Sequence, residues 1–244
     1  MPAYSPVLSL VTAAFELAVA AHTARAPGRP AVRRLVVAIL VLLAGYQLIE
    51  VAVCHDPADP FFARLAFADV VWLPPLGCAL LLALAGGGRR VARAVVGTQA
   101  TLAAFFSVWV FADPRFVTGS VCQAVIAFYT HPTNALEAYG VLYHLGLAGM
   151  MFGGIRLAVA AATPTDRAHA ADLAMGTVGF VVPALLTEVV IPGTKNATPS
   201  LMCHYALVLA VFLARLARRE QRAFTAAARA EAAPDVDVRR APSG

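Results

Sequence analysis

Ionisable side chains stand near one end of several apolar segments of this chain. Four of them mark the candidate site, namely Glu50, His144, Glu188 and His204. Carboxylates and imidazoles bind ligands through charge and hydrogen bonds, and in hydrocarbon they are costly enough to be functional candidates. Three neighbours extend the predicted ligand pocket, namely Tyr46, Gln47 and Tyr143. The alternative is that such residues reach lipid headgroups, which is the preferred interpretation for Asp69 and Glu137 at expected helix starts.

Cysteines give a second set of candidates. Cys54, Cys122 and Cys203 fall in or beside connections on one side of the predicted topology, and a disulfide between two of them is expected in an oxidising compartment. The alternative is a copper or zinc site, because thiolate and imidazole suit both metals. Its ligands would come from Cys54, His55, Cys122, His131, Cys203 and His204. Their spacing matches no standard zinc motif, so no cofactor is predicted.

Seven apolar segments are available to position these residues. Hydrophobic residues make up 60% of the 244 residues and charged residues 14%, against about 45–50% and about 25% in soluble domains. A membrane-spanning helix needs about 20 mainly apolar residues. The predicted spans are 5–24, 33–53, 67–86, 92–112, 135–158, 171–191 and 200–217. The predicted fold is therefore an all-α, seven-helix transmembrane bundle over 1–217, with the lipid bilayer as its surroundings.

The distribution of basic residues predicts the orientation. Of the 19 arginines and lysines, 16 fall in the tail and in the connections after the odd-numbered spans. The exceptions are Arg64, Arg115 and Lys195. Basic residues favour the cytoplasmic side, so the N-terminus is expected outside the cell and the C-terminus in the cytoplasm, in a multi-pass protein of the cell membrane. This topology explains the net charge of +5 without a nucleic acid partner.

The remaining segments are a tail and one long connection. Residues 218–244 are rich in Arg and Ala, and we expect a cytoplasmic helical extension that becomes disordered and offers a surface to a signalling partner. Residues 121–129 are apolar and rich in strand-forming types after a Gly-Ser turn signal, in a connection too short for another span. The sequence predicts a β-hairpin or a re-entrant cap over the pocket here.

Several local motifs resemble a known group of proteins. The motifs are GYQLIE at 45–50, Cys54, ALR at 63–65, LPPLG at 73–77 and PSLMC at 199–203. Together they are similar to uncharacterised seven-helix membrane proteins of bacteria and archaea. A Gly-Asn-Tyr stretch that often follows the cysteine of the long connection in that group is absent here. The layout more remotely resembles the sensor region of membrane histidine kinases.

Three functions are compatible with these features. A receptor-like sensory or ligand-binding module is preferred, because the polar groups face outward beneath a possible lid. A small transporter would need a polar path through both leaflets, and an intramembrane metal-dependent enzyme would need several ligands at one depth. Retinal binding is excluded, because its Schiff base needs a lysine within a helix and Lys195 falls in a predicted connection.

Overall fold

The computed structural model describes residues 4–87, 90–132, 135–191, 193–194 and 197–232. Over these residues the chain forms eight helices and one hairpin. The helices are α1 Val7–Arg25, α2 Pro30–His55, α3 Pro60–Val70, α4 Leu73–Leu84, α5 Arg90–Ala112, α6 Ala135–Ala160, α7 Pro164–Val190 and α8 Thr198–Ala232. The strands are β1 Gly119–Gln123 and β2 Ile126–Thr130, paired antiparallel.

Seven helical stretches of the described chain are long and apolar enough to cross a membrane. Helices α3 and α4 together supply the third of them, Pro60–Leu84. The predicted all-α bundle with seven candidate spans is therefore confirmed. Its single departure from helical structure among the described elements is the two-stranded hairpin between α5 and α6.

The third span begins earlier than the predicted start at 67. Asp59 caps α3 by accepting a hydrogen bond from the backbone N–H of Phe61, and Pro60 occupies the first turn, where its missing N–H is not needed. The prediction that Asp69 opens this helix is therefore wrong, because Asp69 lies in the last turn of α3. The span is interrupted at Val71 and Trp72, ahead of Pro74. This is where proline withdraws backbone donors from a continuous helix.

The ends of the bundle differ in chemistry. One end, the hairpin face, carries the hairpin, the segment before α1 and the α2–α3 connection. Backbone hydrogen bonds join these pieces, from Ser5 N–H to Ala124 O (2.6 Å) and from Ser120 N–H to Pro57 O (3.1 Å). The opposite end, the arginine face, carries the α1–α2 and α6–α7 connections and the second half of α8.

Glycines let α6 pack closely on its neighbours. A Cβ atom added at Gly149 would lie 3.6 Å from the Cys78 sulfur, and one at Gly153 would lie 3.0 Å from Leu81 Cδ1. A Cβ at Gly146 would clash with the Pro74 side chain. These small residues therefore allow close contact of α6 with α4, as small residues do between membrane helices.

The last helix continues well beyond the predicted end of the seventh span at 217. Helix α8 runs to Ala232, about 50 Å at 1.5 Å per residue. The part of the tail for which disorder was predicted, 233–244, lies outside the described residues, as does Lys195.

Candidate functional site

A cavity of about 150 Å³ lies at the hairpin face. It is enclosed by α3, β2, α6, the last turn of α7 and the first turn of α8. Its polar and aromatic walls are formed by Tyr129, His131, Tyr139, Tyr143, His144 and Glu188. A cavity of about this volume is large enough to hold benzene. The pocket is therefore suited to a small organic molecule.

Helical spacing brings the α6 residues of the pocket together. Tyr139, Gly140, Tyr143 and His144 recur at intervals of one, three and four residues, which places them on one face of the helix. Glu188 approaches from α7. The short residue Gly140 leaves room, since a Cβ added there would meet nothing within 4 Å.

Aromatic rings form a rigid wall behind this face. Phe67 packs edge-to-face against Tyr129 and Tyr139, with ring centroids 5.1 Å and 5.5 Å away. Tyr139 stacks on Tyr143 at 6.3 Å and donates its O–H to the Phe67 carbonyl at 2.8 Å. Such ring pairs add about 0.5–1.5 kcal/mol each beyond the area they bury. The wall is consequently held in place before any ligand enters.

Hydrogen-bond acceptors complete the pocket. The Nδ1 atom of His144 lies 2.7 Å from the Gly140 carbonyl oxygen. Because a carbonyl only accepts, Nδ1 carries the proton, and Nε2 of the neutral ring is left as an acceptor. The Glu188 carboxylate is a second acceptor. The hydroxyl of Tyr143, which also lines the cavity, is buried and has no partner among the described residues.

A second polar cluster, the Glu50 cluster, lies behind the wall. Tyr46 and Tyr129 share a hydrogen bond of 3.0 Å between their hydroxyls, and Gln47 donates to the Cys203 carbonyl at 2.6 Å. Glu50 is fully buried. The hydroxyl groups of Tyr4, Ser9 and Ser200 lie beside its carboxyl group. None of them completes a hydrogen bond of good geometry to it.

The Glu50 cluster ties three parts of the hairpin face together. Tyr4 and Ser9 share a hydroxyl hydrogen bond of 3.3 Å, and the Ala127 N–H of β2 donates to Ser200 Oγ at 3.1 Å. The segment before α1, the hairpin and the start of α8 therefore meet around the Glu50 carboxyl group. Burial raises the pKa of Tyr129, at the edge of this cluster, well above its usual range, so its phenol keeps its proton.

The structure divides the seven predicted pocket residues into separate groups. Tyr143, His144 and Glu188 line the cavity. Tyr46, Gln47 and Glu50 belong to the Glu50 cluster behind the wall. His204 lines neither. Its Nδ1 lies 2.7 Å from the Ser200 carbonyl oxygen, and its buried Nε2 has no partner in the described part of the chain.

The three candidate cysteines also fall into separate groups, a disulfide pair and a free thiol. Cys54, in the last turn of α2, and Cys122, in β1, form a disulfide with a Cα–Cα distance of 5.6 Å. Cys203 is a free thiol, 1% exposed. The six candidate metal ligands are therefore not brought together, and no three His, Cys, Asp or Glu side chains within the described ranges are grouped to hold a metal ion.

One buried stripe was missed by the sequence analysis. Ser9, Thr12, Glu16 and Thr23 are all at most 3% exposed and lie on the inward face of α1. The recurrence of polar residues at intervals of three, four and seven in an apolar helix is the signal that predicts such a face. Both carboxyl oxygens of Glu16 lack a partner among the described residues.

An ion-pair cluster fixes the arginine face. Arg29 donates to Glu220 from its backbone N–H (2.8 Å), Nε (2.9 Å) and Nη2 (3.0 Å), and from Nη1 to Asp166 (3.1 Å). Hydrogen bonding to Glu220 raises the pKa of Arg29. The α1–α2 connection, α7 and α8 are thus joined through one guanidinium group.

No family model matches the chain, and no curated protein matches it significantly.

Proposed function

We propose that this protein is a receptor-like ligand-binding module of the bacterial inner membrane, and that its ligand is a small organic amine. The hairpin face lies outside the cell and the arginine face in the cytoplasm. The seven apolar helices support a topology of seven spans. The basic residues of the arginine face support its placement in the cytoplasm.

The observation that carries the proposal is the chemistry of the cavity walls. Glu188 offers a carboxylate and His144 an acceptor nitrogen, while Phe67, Tyr129 and Tyr139 contribute aromatic rings. An ammonium group is a multiple donor that binds a carboxylate, and it is attracted to the faces of aromatic rings. The volume of about 150 Å³ limits the ligand to about the size of a benzene ring with a short substituent.

Helix α8 supplies a route for a response. Its first turn contributes Thr198, Pro199 and Met202 to the cavity wall, and the same helix carries Glu220 to the ion pair with Arg29 on the arginine face. A ligand that shifts the start of α8 therefore biases the position of the tail. The readout would come from a cytoplasmic or membrane partner that contacts the exposed arginines of the tail.

Ligand binding is tested with benzylamine and its matched analogues. Purified protein in detergent is titrated with benzylamine, benzyl alcohol and benzoate while thermal unfolding is followed. We expect benzylamine alone to raise the unfolding temperature, and Glu188→Gln to weaken its binding about tenfold, since a charge-assisted hydrogen bond is lost. Glu137→Gln, exposed on the first turn of α6, is the control. Stronger binding of benzoate, or equal binding to the Glu188→Gln variant, refutes the amine.

Orientation is tested separately by labelling. In a background that lacks Cys78 and Cys203, Glu137→Cys should react with a membrane-impermeant maleimide in intact cells. Ala230→Cys, at the exposed end of α8, should react only after lysis. The reverse pattern would place the hairpin face in the cytoplasm.

A further inference from the structure

A second and larger cavity opens between α4, α5 and α6, towards the arginine face. Its volume is about 720 Å³, within the range of about 300–1,000 Å³ that small-molecule sites occupy. Its walls are apolar, and the larger side chains are Leu81, Leu82, Val91, Val95 and Leu157. The lining spans 153–160 on α6, about 10 Å along the helix axis.

The groove exists because α5 leans away from α6. Helix α5 packs on α3 and α4 but makes no extensive contact with α6. All residues from Arg90 to Val95 are exposed, with Val91 at 73% and Val95 at 49%. The groove is therefore open sideways, and in a bilayer its opening faces the acyl chains of the lipid.

Gln99 lies about one turn beyond the groove residue Val95 on α5, towards the middle of the bundle. Its Nε2 lies 3.6 Å from the position of a Cβ at Gly146 and 3.9 Å from one at Gly149. The two helices meet through this side chain. Between Gln99 and the start of α5, residues of α5 and α6 line the two sides of the groove, and the space between them has room for a chain-like molecule.

One charged side chain stands on the α6 wall of the groove. Arg156 is the only charged side chain among the described residues that line the groove. It is exposed and has no hydrogen bond or ion pair with any residue that the structure describes. Arg90 and Arg93 are also exposed, in the first turn of the facing helix. The end of the groove is thus basic.

We propose that this groove is a binding site for an anionic glycerophospholipid from the leaflet on the arginine face. One acyl chain lies between α5 and α6, against Val95 and Leu157, and the headgroup phosphate is bound by Arg156. Guanidinium groups bind phosphate oxygens in a bidentate geometry, and a long arginine side chain near a helix end extends to the headgroup level. The apolar walls distinguish this site from one for free phosphate, which would leave them empty.

Native mass spectrometry of delipidated full-length protein provides the test. The protein is titrated with dioleoyl phosphatidylglycerol or dioleoyl phosphatidylcholine, and the lipid-bound fraction is measured. Arg156→Gln removes the headgroup contact, and Arg218→Gln, an exposed position on the same face outside the groove, is its matched control. Ala92→Phe fills the groove, and Ala94→Phe, exposed on the same helix but not in the lining, is the second control.

The expected result is preferential binding of the phosphatidylglycerol. Arg156→Gln should weaken it about tenfold, Ala92→Phe should also weaken it, and both controls should bind like the unmodified protein. Thermal unfolding without added lipid should be similar for all variants, which separates lost binding from lost folding. Equal binding of the two lipids, or equal losses in Arg156→Gln and Arg218→Gln, overturns the anionic site. Binding that survives both Arg156→Gln and Ala92→Phe overturns the groove.

Discussion

Removing the disulfide by the double substitution Cys54→Ser/Cys122→Ser should loosen the hairpin from the end of α2. The bond closes a loop with a sequence separation of 68. The hairpin carries Tyr129, which belongs to both the aromatic wall and the contact with Tyr46. Loss of the disulfide should therefore lower the free energy of unfolding and also weaken the binding of any ligand held under the hairpin.

The expected loss of unfolding free energy follows from the length of the loop that the disulfide closes. For 68 flexible residues, the entropy of loop closure in the unfolded chain is worth about 4.4 kcal/mol. Membrane helices persist in the unfolded state, however, and α3, α4 and α5 hold 11, 12 and 23 of these residues in helices. The remaining stretch of about 22 flexible residues gives about 3.4 kcal/mol. We expect a loss of about 3–4 kcal/mol.

The assay is SDS-induced unfolding in mixed micelles, followed by the fluorescence of Trp72 and Trp109. The double variant and the unmodified protein treated with dithiothreitol should lose the same free energy of unfolding. Cys78→Ala, which removes a free thiol outside the disulfide, is the control. Each single serine variant should lose about as much as the double variant, since either one abolishes the bond.

A small effect would refute this reasoning. If reduction and the double substitution each cost less than about 1 kcal/mol, the loop is already constrained in the unfolded state. The hairpin would then be held by other contacts, such as the hydrogen bonds from Ser120 to Pro57.

Three further substitutions test separate features of the structure. Glu16→Met should stabilise the protein by about 1–3 kcal/mol, because it replaces a buried carboxyl group that has no partner. Glu220→Ala should cost about 2 kcal/mol, since it removes three hydrogen bonds from Arg29 and leaves its half-exposed guanidinium group with Asp166 as its ion-pair partner. Ala124→Gly should stabilise the hairpin by about 0.5–1 kcal/mol, because Ala124 has a φ of 52° that glycine adopts without a steric penalty. All three effects are measured as changes in the free energy of unfolding.

Two of these substitutions have a matched control. Glu231→Ala removes an exposed carboxylate near the end of α8 and should change little. Ala226→Gly, in the exposed interior of α8, should lose about 1 kcal/mol, the opposite sign to Ala124→Gly. Destabilisation by Glu16→Met would contradict the prediction for Glu16, and would indicate that its carboxyl group is bound to water or to a cation.

Local sequence patterns were enough to predict much of the fold. The number of spans and the hairpin near 121–129 follow from runs of apolar and strand-forming residues, which are properties of neighbouring positions. The start of α7 was placed at 171 instead of Pro164 because Asp166 and Arg167 interrupt the apolar pattern. In the structure, Thr163 caps this turn, and Asp172 pairs with Arg215 across to α8.

The sequence predicted how far along its span each candidate residue lies, but not which of these residues line the same cavity. Glu50, His144 and Glu188 lie near the same ends of their spans, and depth follows from residue number because each helical residue rises by about 1.5 Å. Which helices share a cavity depends on how the bundle packs, and no local pattern records that packing. The sequence by itself determined seven apolar helices with polar groups near one end. Only the tertiary structure put Tyr46 and Tyr129 between Glu50 and the cavity. Aromatic contacts between α3, β2 and α6 fill the space there, so that Glu50 does not line the cavity.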